Sequence, residues 1–252
     1  MEISPDHIKI LQVGGLTLNA TIFFTWVVML LMTAGSWLVT RRLRTETELS
    51  RWQNLLEVIV IGIRDQIRGV SKQDPGPYLH FVGTLFLFIA VSNLLSIVPG
   101  YQPPTGSLST TTGLAICVFI AVPVFGIAES GVAGYFRHYI RPTFFMLPFN
   151  IMGEFSRSIA LAVRLFGNVM SGTMIAGILL SITPLLFPIV MQALGLLTGM
   201  IQAYIFAVLA MVYIASATRT FREIEEKREK AETAGEKGKE RPVEKSREEK
   251  GE

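Results

Sequence analysis

Long apolar runs separated by short basic clusters set the pattern of this chain. From Leu165 to Thr218 no residue is charged, and from Tyr78 to Phe136 only Glu129 is. A helix of about 20 apolar residues spans a hydrocarbon core of about 30 Å, and these runs reach or exceed that length. The first crossing, Leu16–Thr40, stops at Arg41-Arg42-Leu43-Arg44. Basic residues are retained on the cytoplasmic face, so the N-terminus is expected outside. Met1–Val13 lacks a basic leader and a small-residue cleavage site, and no cleaved signal peptide is expected. A second crossing, Tyr78–Val98, leads into the uncharged loop Gly100–Thr112, with Pro103-Pro104 and a run of Ser and Thr. Gly113–Ala128 returns, and Arg137, His138 and Arg141 mark the cytoplasm again. Phe149–Gly172 and Ile175–Ser216 form the last two crossings, and Thr218–Lys230 finishes inside. The pattern predicts an all-α integral membrane protein with about five membrane helices.

Two segments break that simple alternation. In Ser50–Val70, Glu57, Arg64, Asp65 and Arg68 share one helical face opposite Leu56, Ile59, Ile63 and Ile67. Such a helix lies in the interface plane or packs against a cytoplasmic partner. Ile175–Ser216 has the opposite problem, because a helix of that length is about 63 Å long at 1.5 Å per residue. Pro184 and Pro188 are expected to kink or interrupt it. Ile189–Thr218 alone is about 45 Å, which fits the core only at a steep tilt. A strongly tilted pair of final helices is therefore expected, with a re-entrant start followed by an upright helix as the alternative.

Composition sharpens the division of the chain. Of 252 residues, 50% are hydrophobic and 17% charged, yet residues 219–252 alone hold 11 Lys or Arg and 11 Glu. Residues 1–218 read as a membrane domain and 219–252 as a charged cytoplasmic tail, helical over Arg222–Thr233 and disordered beyond. The net charge of +3 sits at membrane boundaries, which argues against a nucleic-acid partner. One cysteine, Cys117, excludes a disulfide framework and a thiolate metal site, and three scattered histidines make no metal cage. No cofactor is expected. No phosphate-binding Gly-Lys-Ser/Thr loop is present, so nothing here binds nucleotide by that device.

Arg164 carries the functional argument. It lies deep in an apolar helix, in Ala162-Val-Arg-Leu-Phe-Gly-Asn168. Placing an Arg in hydrocarbon costs from about 3 to 10 kcal/mol or more, and the guanidinium cannot shed its proton. The carboxylates within the chain are Glu154, better spaced to pair with Arg157, and Glu129. The compensating carboxylate is thus expected from another subunit; an Arg snorkelling to an interface is the plainer alternative. Arg157, Arg164, Asn168 and Ser171 share one helical stripe, a polar face that reads as an ion pathway. On the last helix Thr198 and Gln202 form an i,i+4 pair, with Gly195 and Gly199 allowing a close approach that brings Gln202 near Arg164. A packing seam with an incidental Gln is the competing reading.

These residues resemble a family. Arg164-Leu-Phe-Gly-Asn168 with Gln202-Ala-Tyr-Ile-Phe-Ala-Val-Leu downstream is similar to subunit a of the rotary F-type ATP synthase. So are Asn93-Leu-Leu-Ser-Ile-Val-Pro-Gly100, Tyr135-Phe-Arg-His-Tyr-Ile-Arg-Pro142 and Leu147-Pro-Phe-Asn-Ile151. The resemblance implies a stator in the cell inner membrane, its last two helices tilted against a ring of c-subunits. It also implies peripheral-stalk b subunits as partners, a separate catalytic ATPase sector, and two half-channels coupling cation flow to ATP synthesis or hydrolysis. Arg164 would face each ring carboxylate. Two departures matter: positions where family members carry acids or a His hold Thr173 and Gly195. The outer half-channel would then rest on Asn93, Ser96, Thr173, Thr198 and Gln202, a neutral path that suits Na⁺ as well as H⁺. Glu129 and Glu154 are candidates for the inner half-channel or interface anchors.

Other classes leave weaker traces. A stand-alone transporter or channel would need its own carboxylate or substrate site at mid-membrane, and none is found there on the last two helices. An intramembrane hydrolase is hinted at only by Ser171-Gly172, with no His on those helices to activate the serine.

Overall fold

The computed structural model describes residues 9–13, 16–41, 51–71, 74–98, 100–140, 146–182 and 189–218. Two short antiparallel strands, β1 (Lys9–Val13) and β2 (Leu16–Asn19), pair ahead of the first helix. The first membrane helix, α1 (Ala20–Thr40), therefore starts after Leu16, whose segment pairs as strand instead of joining the helix. The interfacial segment forms α2 (Arg51–Ser71). Then come α3 (Gly76–Leu94), α4 (Leu108–Ile140), α5 (Met146–Ile182) and α6 (Ile189–Thr218). Short 3₁₀ turns at Leu95–Ile97 and Pro104–Gly106 shape the connection from α3 to α4. Among the described residues five helices, all but α2, are long and apolar enough to cross a membrane. The charged tail and its expected helix at 222–233 lie outside the described residues.

Three boundaries differ from the sequence reading, each for a local reason. The helix α4 opens at Leu108, not Gly113, because the Ser107 hydroxyl accepts from the Ser109 amide and caps the first turn. It extends to Ile140 but is interrupted at Gly131, where φ 71° and ψ 162° lie in a region that essentially only glycine occupies. The third difference concerns the longest apolar stretch. Ile175–Ile182 is the last two turns of α5, so Ile175–Ser216 is not one segment and has no separate re-entrant start. Pro184 and Pro188 fall in 183–188, outside the described residues. At 1.5 Å per residue α5 is about 55 Å long and α6 about 45 Å, so neither crosses a core of about 30 Å upright.

The core explains why α3 to α6 hold together. Ile89 of α3, Val118 of α4, Leu161 and Leu165 of α5, and Phe206 and Ala210 of α6 meet in one buried cluster. Small residues at Ala162, Ala203 and Ala210 let the helices approach closely. A second cluster joins Ile67 of α2 to Tyr78 and Val82 of α3 and to Met211 and Ile214 of α6. The amphipathic α2 thus packs its apolar edge on its own chain and leaves Glu57, Arg64, Asp65 and Arg68 exposed. That placement agrees with a helix lying flat at an interface.

Candidate ion-path site

The site is set by the register of two antiparallel helices. Near one end of the bundle the Asn168 Nδ2 on α5 donates to the Thr198 carbonyl on α6, at 3.4 Å. Toward the other end Arg157 of α5 lies over the Tyr213 ring of α6, 5.7 Å from its centroid. Arg164 is four residues from Asn168 and Gln202 four from Thr198, both in the direction of Arg157 and Tyr213. At 1.5 Å per residue they sit at the same depth, about 6 Å from the Asn168–Thr198 contact.

At that depth the two side chains have opposite surroundings. Leu161 and Leu165 bury the inner face of α5, which turns Arg164 outward. Arg164 is exposed on the surface of the chain and has no hydrogen-bond or ion-pair partner among the described residues. Gln202 is 5% exposed, and its Nε2 is buried without a hydrogen bond. Leaving a buried amide unsatisfied costs about 1–3 kcal/mol, so such groups normally meet water when protein offers nothing.

Further along α6, toward the connection between α3 and α4, Asn93 binds tightly. Its Nδ2 donates to the Gly199 carbonyl at 3.0 Å, and its Oδ1 accepts from Thr105 at 3.5 Å. The absence of a side chain at Gly199 permits this: an added Cβ would stand 2.8 Å from Asn93 Cγ. A second latch runs from the Gln192 Nε2 to the Ser96 carbonyl at 2.6 Å. The closeness expected from Gly195 and Gly199 is therefore used at Gly199 by α3, not α5, while Gly195 faces open space. Gln202 and Arg164 share a level through the α5–α6 register instead.

Beside Asn93, Ser92 is fully buried and its hydroxyl is unsatisfied, as are the Tyr101 hydroxyl and the Gln102 Oε1 in the following loop. Burial pushes the Tyr101 phenol well above its usual range, and the nearby Ser92 hydroxyl offsets part of that rise without closing a hydrogen bond. Tyr101 thus stays neutral at physiological pH. Its ring packs edge-on against Phe24 of α1, with centroids 4.9 Å apart.

The other end of the bundle carries the acids. Tyr78 at the start of α3 donates to the Glu129 Oε2 at 3.0 Å. Glu154, Arg157, Ser158 and Tyr213 line a small cleft with Val118, Phe119 and Val122. Arg157 lies over Tyr213 in place of the expected pair with Glu154. The structure therefore sorts the sequence candidates into two groups at opposite ends, with Arg164 and Gln202 between them. Glu129, Glu154 and Arg157 lie at one end. Asn93, Ser96, Asn168, Ser171, Thr173 and Thr198 lie at the other.

Most of the second group is occupied by bonds within the protein. Ser96 donates to Asn93 O, Ser171 to Asn168 O, Thr173 to Met170 O and Thr198 to Leu194 O. Ser92, Tyr101 and Gln102 escaped the sequence reading, because only burial distinguishes them from ordinary loop and helix-end polar residues. Among the described residues no group of His, Cys, Asp and Glu could hold a metal ion.

Five apolar crossings with an exposed Arg at mid-helix and polar clusters at both ends define a multi-pass membrane protein of ion-translocating type. The family model described as ATP synthase A chain matches residues 22–215. ATP synthase subunit a 2 of Acaryochloris marina is 64% identical over 219 residues, covering 87% of this chain and 94% of that protein. ATP synthase subunit a of Albidiferax ferrireducens is 63% identical over 219 residues, 87% and 95% of the two chains. ATP synthase subunit a 1 of Chlorobaculum parvum is 62% identical over 220 residues, 87% and 97%. The chain belongs to the ATP synthase A chain family, the ion-translocating stator subunits in the membrane sector of F-type ATP synthases.

Proposed function

We propose that this subunit provides two half-channels and a fixed positive charge beside a rotating ring of c-subunits, in the cell inner membrane. The observation that carries this reading is Arg164, exposed and without a partner among the described residues, with no other charged residue after Arg157 on α5. Such a charge is expensive in hydrocarbon unless a carboxylate or water meets it. A ring carboxylate passing Arg164 is favoured in its ionised form and so gives up its cation there. The same charge repels a cation crossing directly between the half-channels, so the ion must travel around on the ring. Each monovalent cation moving through 100 mV delivers about 2.3 kcal/mol to that rotation.

Glu129, Glu154 and Arg157 belong to the half-channel at the cytoplasmic end, where the basic clusters fall. Asn93, Asn168, Ser171, Thr173, Thr198 and Gln202 belong to the outer end. The N-terminus is outside, residues 219–252 extend into the cytoplasm, and b subunits of the peripheral stalk hold the subunit static. The subunit is non-catalytic; ATP turnover belongs to the separate catalytic sector. The cation is H⁺ in the leading reading. A neutral outer end, with Thr173 and Gly195 at the positions that lack an acid or His, also admits Na⁺.

Arg164→Ala in the whole complex tests the role. ATP-driven transport into vesicles is expected to disappear while the complex assembles and hydrolyses ATP; retained coupled transport would overturn the reading. Labelled-sodium uptake with and without a protonophore identifies the ion. Uptake that persists with protonophore makes it Na⁺; acidification that protonophore abolishes, without sodium uptake, makes it H⁺.

A further inference from the structure

The apolar side of α2 is only partly taken up by packing. Ile67 sits in the buried cluster with Val82 and Met211, but beside it the three helices α2, α3 and α6 leave a cleft of about 240 Å³. Val58 and Gly62 of α2, Phe86 of α3 and Tyr204 of α6 are among its walls. A Cβ added at Gly62 would meet nothing within 4 Å, so the space beside that residue is open. None of the residues lining the cleft is charged, and only Gln66 and Tyr204 bring a polar group on the side chain. Val58 is 62% exposed and Tyr204 46%, which puts the mouth of the cleft on the outer surface of the chain. Its walls on α6 run from Met211 to Tyr204, about 10 Å along the helix axis at 1.5 Å per residue. The cleft therefore extends from the end of the bundle that carries Glu129 toward the depth of Gln202, which lies within a turn of Tyr204.

We propose that this cleft binds one acyl chain of a phospholipid drawn from the leaflet on which α2 lies. An apolar cavity of about 150 Å³ already stays dry and takes a benzene-sized ligand, so water does not fill this larger one. Left empty, its walls forgo the dispersion contacts that close packing supplies. What reaches the mouth follows from the helices that form it. Both α3 and α6 are long and apolar enough to cross the membrane, and α2 is amphipathic, with Glu57, Arg64, Asp65 and Arg68 exposed. A helix of that kind lies at the headgroup–acyl boundary, its apolar face about 5–10 Å into the bilayer. The mouth therefore opens among acyl chains and is continuous with the exposed apolar surface of α2 at Val58 and Ile61. An elongated, uncharged cleft suits a flexible hydrocarbon chain, while the headgroup stays at the polar boundary outside it. The bound chain completes the packing of α2 against α6 within a turn of Gln202. This inference stands apart from the ion-path reading of Arg164 and rests on the membrane crossing alone.

Photolabelling in the whole complex tests the site. The complex is reconstituted in vesicles containing a phosphatidylethanolamine with a diazirine near the end of one acyl chain. It is then dissolved in detergent, washed free of loosely held lipid and irradiated, and the labelled peptides are mapped. Lipid that merely surrounds the protein washes away, whereas a chain held in the cleft remains. The expected result is label in segments 58–70 or 204–211 at least tenfold above that in α1, where Leu30 is 72% exposed. Gly62→Phe puts a ring into the open space and should lower the label in both segments at least fivefold in a complex that still assembles. Label no stronger in the cleft than in α1, or label unchanged by Gly62→Phe, would overturn the proposal. Label on a neighbouring subunit in place of the two segments would mean that protein fills the cleft, and would overturn it as well. Should Gly62→Phe prevent assembly, Gly62→Leu decides by the same criterion.

Discussion

The contact between Gly199 and Asn93 can be tested by the smallest possible change, Gly199→Ala. The added Cβ would lie 2.8 Å from Asn93 Cγ and 3.1 Å from its Nδ2, against an ordinary carbon separation of about 3.5–4.0 Å. Either α3 and α6 part by several tenths of an ångström, or Asn93 turns away and gives up its 3.0 Å bond to the Gly199 carbonyl. Overpacking of this kind costs about 1–3 kcal/mol, and a buried amide losing its partner costs a similar amount. The helix propensity of Ala over Gly returns about 1 kcal/mol. The net expectation is a loss of about 1 kcal/mol, or about fivefold in a folding equilibrium. The assay is a double-mutant cycle on heat inactivation of ATP-driven transport, using Gly199→Ala, Asn93→Ala and the pair. Gly199→Ala should accelerate inactivation more in the parent than once Asn93 is shortened, where the 2.8 Å contact with Cγ is gone and only the 3.0 Å contact with the Asn93 Cβ remains. An equal penalty in both backgrounds, or none in the parent, would refute the steric argument.

Three further expectations follow from single sites. Gln202→Leu removes a buried Nε2 that no protein group satisfies, so thermal stability should hold or rise while ion flux falls; unchanged flux would take Gln202 out of the path. Gly131→Ala forces a Cβ into a conformation with φ 71° and ψ 162°, and should lower stability by about 1–3 kcal/mol, read as faster thermal loss of the complex. Tyr101 has a folded pKa raised above its unfolded value of 10.0, so its contribution is complete below that pH and declines as pH rises further. Tyr101→Phe should therefore flatten the alkaline loss of stability, while near neutrality stability holds or rises because the hydroxyl it removes is buried without a hydrogen bond.

Apolar run length by itself determined that the chain crosses a membrane several times, since hydrocarbon satisfies no backbone group and helices are the economical answer. It also singled out Arg164, because a permanent charge in such a run is costly wherever the helix lies. The amphipathic period of α2 was equally legible, from charges recurring on one face. Tertiary structure decided what depends on neighbours. Whether Ile175–Ile182 closes one helix or opens the next is not written in its composition, which is apolar either way. Gly195 and Gly199 look alike as sequence, yet only the second has another helix against it. Ser92 lies in the last turn of α3 and Ser96 in the 3₁₀ turn that follows; the Ser96 hydroxyl reaches a carbonyl and the Ser92 hydroxyl does not. Hydrophobicity is a property of residues and survives in the sequence, whereas satisfaction of a polar group is a property of pairs. Only the packed helices show which pairs form.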